Sequence, residues 1–315
     1  MPHFSVIMPL YNKAPYVRKS VESVVGQTFV NWELVVVDDG SVDGSGDIVE
    51  SVNDSRIRLV RQDNAGVSAA RNRGVGESTA PYVCFLDADD WWEPTFLEEM
   101  AGLLERHPNA GIYGTGYYIV KNGRKRIAPI GVDEGFTEGE INYCRVYAKT
   151  LCMPFTSITV AIPRQVFKEI GGFPTDIKLG EDFMLWVRIA LKHKAVLLNN
   201  PLSNYNQDVD ASYRGTHRKS YEPDTFSTFH FDEFASEEEN NHELKVLLDK
   251  LRVYSLMNFR QNNLCPEKVM QEIVKVDFTN VDSIYRFYYK APYWMVKTYL
   301  KIIQILSMLK SKVKK

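Results

Sequence analysis

The sequence lacks most of the signatures that would assign a chain of this kind at once. Its four cysteines, Cys84, Cys144, Cys152 and Cys265, are scattered and form no CxxC pair. That argues against a zinc site or a disulfide framework and suits a reducing compartment. There is no GxGxxG after the first apolar run, and no GxxxxGK followed by Ser or Thr. A dinucleotide fingerprint and a P-loop are therefore both missing. No apolar stretch approaches the roughly 18–20 residues that span a bilayer. The net charge of −2 gives no global case for nucleic acid as a partner. Met1-Pro2-His3-Phe4 enters an apolar run without a basic leader or a small-residue cleavage site, so a cytoplasmic location is expected. No internal repeat is visible.

What is present is ordinary globular material with unusual acidic strand ends. The chain is 44% hydrophobic and 25% charged, and its 315 residues suit one large α/β domain with an appendage, or two domains. Val83-Cys84-Phe85-Leu86 runs straight into Asp87-Ala88-Asp89-Asp90, with Trp91-Trp92 behind. A short continuous apolar run bounded by polar residues reads as a buried strand. The carboxylates then sit at its C-terminal end, where ligands bind in open α/β sheets. Three acids within four residues repel one another, and Mg²⁺-like ions are held by one or two carboxylates plus substrate phosphates. The plain alternative is an acidic loop that starts the next helix, with Asp90 as N-cap and Glu93-Pro94 in its first turn.

Taken in order, Phe4–Pro9, Leu34–Val37, Ile57–Val60 and Tyr82–Leu86 read as strands. Helical spacing appears at Val17, Val21, Val24 and Val25, at Ile48, Val49 and Val52, over Val67–Arg73, and from Phe96 to Leu104. This alternation predicts a largely parallel sheet covered by helices, with the loops at Tyr11, Asp39 and Asp87 along one crevice. Beyond residue 110 the pattern changes. Gly111–Val120, Ser157–Ile162 and Val196–Leu198 read as strands, the stretch between the first two as loop-rich, and Met184–Leu191 as a helix begun at Gly180-Glu181-Asp182. Residues 203–225 read as an unpatterned loop, and Leu244, Leu247, Leu248 and Leu251 as a further helix. The expected domains are a catalytic region over 1–225, with a nucleotide-binding half 1–110 and an acceptor-binding half 111–225, and a helical region over 226–315. Asp38 fits a cap on its own turn, Arg73 a surface position, Cys84 a packed core thiol, and Trp186 either core or site.

Three acidic clusters thus stand at strand or helix ends: Asp38-Asp39, Asp87–Asp90 and Glu181-Asp182. Cleaving a sugar–diphosphate bond needs a cation to neutralise the departing diphosphate and a base for the attacking hydroxyl. It also needs a grip on the nucleoside away from the chemistry. SVIMPLYN (5–12), VDDGSVD (37–43), NAGVSAARNRG (64–74), FLDADDWW (85–92), Gly171-Gly172-Phe173 and GEDFMLW (180–186) follow the order and spacing of the family 2 glycosyltransferases, which the chain resembles over about residues 3–210. The resemblance implies a GT-A fold and an inverting transfer from a nucleotide-diphosphate sugar, a UDP-sugar favoured, to a glycan or lipid-linked acceptor in surface polysaccharide synthesis. It implies that Pro9, Tyr11 and Asp39 hold the nucleobase with Arg71 nearby, and that Asp87 meets the ribose. Asp89 would ligate Mn²⁺ or Mg²⁺, Asp182 would be the catalytic base, and Glu181 and Trp186 would shape the acceptor pocket. The sequence departs from the family in one place. An arginine–histidine pair is common after the last sheet strand, whereas Tyr205–Asp210 has no histidine; Arg214 or His217 could serve instead.

Two other functions compete. Phe85–Asp89 superficially resembles the DxD of haloacid-dehalogenase-like phosphohydrolases, but lies on the fourth strand instead of the first. A non-catalytic glycosyltransferase-like scaffold subunit is the other. Finally, residues 286–315 carry eight basic and no acidic side chains among tyrosines, Trp294 and Ile302–Leu309. That composition fits peripheral contact with the inner, anionic face of the cytoplasmic membrane; the alternative is an ordinary packed helix with a solvated tail.

Overall fold

The computed structural model describes residues 2–213 and 222–298. The chain divides into two compact units at residues 219–228. The first opens with β1 (Phe4–Leu10), α1 (Val17–Val25), β2 (Trp32–Asp38), α2 (Ser45–Glu50), β3 (Ile57–Arg61), α3 (Val67–Glu77) and β4 (Tyr82–Phe85). The apolar runs become strands because both sheet faces are covered: Val6, Ile7, Met8, Leu34, Val35, Val36 and Val37 are all fully buried. These strands pair in parallel in the order β3-β2-β1-β4. Register places Leu10 opposite Asp38 and Ile7 opposite Phe85, so the loops after β1, β2 and β4 emerge on one edge.

The second half of this unit differs from the reading of a mainly parallel sheet. It comprises β5 (Trp91–Trp92), α4 (Phe96–Arg106), β6 (Ile112–Lys121), β7 (Arg124–Ile127), β8 (Glu138–Ile141), α5 (Tyr143–Thr150), β9 (Val160–Pro163), α6 (Arg164–Ile170), α7 (Glu181–Lys192) and β10 (Ala195–Asn206). β9 runs antiparallel to both β4 and β6, and β5 antiparallel to β10, so the whole sheet is mixed. Three local expectations are corrected. Asp90 does not cap a helix: α4 begins at Phe96 behind Thr95, because Trp91-Trp92 first pair with Ser203 and Asn204 of β10. The loop-rich stretch contains a hairpin and α5, the latter capped by Asn142, whose side chain accepts from the Arg145 amide at 2.9 Å. Residues 203–206 belong to β10, not to a loop. Trp92 locks these pieces together, its indole donating to the Ile158 carbonyl at 2.7 Å and stacking on Phe96.

The second unit contains α8 (Ala235–Asn240), α9 (His242–Ser255), α10 (Met257–Gln261), α11 (Pro266–Val274) and α12 (Ser283–Lys290). Asn241 caps α9 by accepting from the Leu244 amide. The buried Arg252 guanidinium joins α9 to Glu238 of α8 and Glu272 of α11. Among the described residues no helix is long and apolar enough to cross a membrane.

The close seat of α3 on the sheet sets the position of Arg71. A Cβ at Gly74 would overlap Ile7 Cγ2 and crowd Val37 Cγ2 at 3.2 Å. Gly74→Ala is therefore expected to destabilise the first unit by about 1–3 kcal/mol, read as a lower urea midpoint. An unchanged midpoint would mean that α3 is not packed this tightly.

Candidate active site

The acidic strand ends are fixed by bonds from their own turns and from neighbouring loops. Asp38 caps its turn, accepting from the Ser41 amide at 2.9 Å, as expected. Asp39 is buried and accepts from the amides of Ala65 and Gly66 at 2.8 and 2.9 Å and from Gln62 Nε2 at 2.7 Å. Its carboxylate thus fixes the 62–66 loop beside the strand end. Pro9 lies in the β1–β2 ladder opposite Val37, and Tyr11, half exposed, follows β1.

Arg71, on α3, is almost wholly buried. One guanidinium nitrogen donates to Asp87 at 2.8 Å and another to Glu181 at 3.0 Å, with the Phe173 ring beneath. The two carboxylates raise its already high pKa against the pull of burial. Among the described residues its Nε has no hydrogen-bond partner. The side chain therefore ties the loop after β4 to the first turn of α7, 110 residues away in sequence. Glycine is needed at 180: φ is +85°, and a Cβ there would strike the Ser227 side chain. This turn delivers Glu181 and Asp182 to the positive end of α7.

Asp182 accepts from the Phe183 amide at 2.8 Å. Burial raises its pKa most and the Glu181 charge next; Arg71 and the Phe183 amide oppose them, and the carboxyl is pushed up to about 7. Burial, together with the charge of Asp182, also raises the hydroxyls of Tyr143 and Tyr147. Sequence reasoning missed both tyrosines, which lie in the stretch read as loop.

Asp89 pairs with Lys13, the residue directly after Tyr11-Asn12. Burial nevertheless holds the Asp89 carboxyl above its usual range, with Asp87 adding to the effect. Asp90 is buried and accepts from the Asn206 amide at 2.7 Å; burial and the charges of Asp89 and Asp87 push it well up. The Asn206 side chain donates to the Asp89 carbonyl at 3.1 Å, so the end of β10 secures the acidic loop. Lys13 and Asn206 were not singled out from sequence; the basic residue in the β1 loop was the available signal for Lys13. Trp186 has no exposed surface and packs edge-on against Phe173, beneath the site. Arg214 and His217 lie outside the described residues.

The donor chemistry fits a hard divalent cation. Asp87, Asp89 and Asp90 crowd one loop, and Lys13 leaves Asp89 still raised. Among the described residues no three His, Cys, Asp or Glu side chains converge as a metal cage. An ion here would rest on Asp89 and on oxygens of its ligand.

The family model for glycosyl transferase family 2 matches residues 5–170, more than half of the chain. The chain belongs to this family. Glycosyltransferase GlyA of Streptococcus pneumoniae is 46% identical over 98 residues, which are 30% of this chain and 14% of GlyA. The chain spans a third or less of the length of the first curated relatives it matches. Among solved structures, TarS 1–349 of S. aureus with UDP-GlcNAc superposes with a TM-score of 0.71 at 22% identity, covering 89% of this chain and 83% of that one. The mannosyltransferase PcManGT of Pyrobaculum calidifontis, with GDP-Man and Mn²⁺, gives 0.54 at 19% identity over 96% and 86%. These structures share the GT-A fold with the family 2 chain. The family match ends before Glu181-Asp182, so the reading of that pair rests on its geometry and on the GEDFMLW motif.

The raised Asp182 carboxyl has a consequence for stability. The native state keeps a proton that the unfolded chain releases near the ordinary aspartate value of 3.8. Stability from this group is therefore lost as pH rises from about 4 to about 7. Asp182→Asn removes that loss. The variant is expected to unfold at higher urea than the parent at pH 8 and at the same urea near pH 4. A lower midpoint for the variant at pH 8 would contradict the burial of this charge.

Proposed function

We propose that this chain is an inverting glycosyltransferase. It moves a sugar from a nucleotide-diphosphate donor, a UDP-sugar by preference, to a glycan or lipid-linked acceptor in surface polysaccharide synthesis. The observation that carries the reading is the Arg71 fork, which brings the acidic loop after β4 beside a carboxyl poised near neutrality. A phosphohydrolase is set aside by the family match.

In this reading Pro9, Tyr11 and Asp39 face the nucleobase. The half-exposed ring of Tyr11 offers a stacking surface, and Asp39 shapes the 62–66 loop around it. Asp87, partly exposed beside Arg71, meets the ribose. Arg71 organises the site through its two carboxylates and keeps Asp87 in place near the nucleotide. Asp89 would hold Mn²⁺ or Mg²⁺, whose charge would offset that of the departing diphosphate. Asp182 takes the proton of the acceptor hydroxyl as that oxygen attacks the sugar from the face opposite the diphosphate. A base with a pKa close to the working pH suits that step. Glu181 borders the acceptor side, and Trp186 supports it from below.

The second unit supports peripheral contact with an anionic membrane. Ile284, Phe287, Trp294 and Met295 are exposed, as are Arg286, Lys290 and Lys297. Interfacial aromatics and lysines of this kind favour an anionic surface, at about 1 kcal/mol per basic side chain. Tyr288, Tyr289 and Val296 face inward, and Tyr289 donates to the Val253 carbonyl at 2.6 Å. Deleting the segment would therefore expose core, and point substitutions are the cleaner probe.

Two results are expected. Asp182→Asn should reduce transfer by about 10²–10⁴-fold while UDP binding is retained, and the parent's kcat/KM should fall as pH drops through about 7. Near-normal transfer by the variant would assign the base elsewhere. Trp294→Ser with Lys290→Glu and Lys297→Glu should abolish low-salt sedimentation with phosphatidylserine liposomes without lowering the melting temperature. Equal sedimentation of variant and parent would defeat the membrane reading.

A further inference from the structure

Lys13 occupies a position in the site where a bound cation and a protein cation would compete. Its backbone is pinned: the amide donates to Ser45 Oγ at 2.8 Å, and the next amide, of Ala14, to Asp43 at 2.9 Å. The ammonium, on its flexible four-carbon stem, reaches across to Asp89 and also donates to the Tyr213 carbonyl. Both ends of the Lys13–Asp89 pair are largely withdrawn from solvent. A divalent ion on an Asp89 oxygen would sit about 2 Å from it. An ammonium on the same carboxylate would then face strong like-charge repulsion at short range.

The second contact of Lys13 gives this competition a readout. Among the described residues, three contacts seat residues 210–213 on the loop after β1. The Tyr213 carbonyl accepts from Lys13, the Tyr213 ring meets Tyr16 edge-on at 5.8 Å, and the Asp210 amide donates to Tyr16 Oη at 3.0 Å. The Tyr213 amide in turn donates to the Asp210 carbonyl at 2.9 Å, closing the turn on itself. Displacing Lys13 removes the one charged tie among these contacts.

We propose that Lys13 is the resident counter-ion of Asp89, displaced when the metal binds, and that its departure loosens residues 210–213 from the β1 loop. This inference rests on the reading of Asp89 as the metal-binding carboxylate. Lys13 is a positioning residue in this scheme, because it acts on the metal through Asp89. Coupling is reciprocal: if metal loosens the turn, an intact turn weakens metal binding by the same factor.

The experiment measures Mn²⁺ binding to the full chain with UDP present throughout, by electron paramagnetic resonance of free Mn²⁺ corrected for the Mn²⁺–UDP complex measured without protein, for the parent, Lys13→Met and Lys13→Arg. Hydrogen exchange of residues 207–213 is followed with and without Mn²⁺. Lys13→Met should bind Mn²⁺ about tenfold more tightly, within the usual range of coupling between sites. Lys13→Arg, which keeps the charge, should stay near the parent. Mn²⁺ should speed exchange at Asp210 in the parent, and exchange there should already be fast in Lys13→Met. Equal or weaker Mn²⁺ binding by Lys13→Met, or exchange in the parent that ignores Mn²⁺, would overturn the role of Lys13 alone. Failure of every form to bind Mn²⁺ beside UDP would overturn the metal reading of Asp89 and this inference with it.

Discussion

The buried fork of Arg71 is the interaction on which the site depends. Its partners, Asp87 and Glu181, come from opposite halves of the first unit, one from a parallel strand end and one from a helix beyond the mixed part of the sheet. A guanidinium taken this far out of water is stable only when its partners are fixed. Here the α3 seat on β1 and β2, which Gly74 permits, fixes the guanidinium, and the turn at Gly180 fixes Glu181. Loss of either would leave a buried charge uncompensated. The backbone features that appear structural are thus the ones that set the chemistry.

The same region concentrates negative charge. Asp87, Asp89, Asp90, Glu181 and Asp182 cluster around two paired cations, Arg71 and Lys13, and three of the acids have carboxyls raised by burial and by each other. A site left with excess charge is a burden on the fold that function can use. In the proposed reading, a hard cation at Asp89 and a base near neutrality at Asp182 are two ways of using it. The separation between them follows from topology: Asp89 follows β4, Asp182 opens α7, and Arg71 bridges their neighbours.

Much of this was legible in the sequence. β1, β2 and β4, and the acidic residues behind β2 and β4, stood out because these apolar runs are buried and stop sharply, whereas the edge strand β3 is only half-buried. The motif spacing carried the family. The second half was harder for physical reasons. β10 is interrupted by register shifts around Pro201, which break the two-residue period that would have marked a long strand. Trp91-Trp92 make a two-residue strand whose partner lies over a hundred residues away. Asp90 has the composition of an N-cap, yet tertiary pairing with Asn206 claims its carboxylate. The pairing of Arg71 with Glu181 has no local signature at all, so its role as a bridge appeared only with the fold.

The most direct test of the account is a calorimetric titration of UDP with Mn²⁺ into the parent and into Arg71→Lys, which keeps the charge but loses the two-pronged geometry. The account predicts a single UDP site in the parent and affinity at least about tenfold weaker in the variant, because Asp87 and the α7 turn lose their common anchor. Equal affinity in the two proteins, or no UDP binding by the parent, would contradict it.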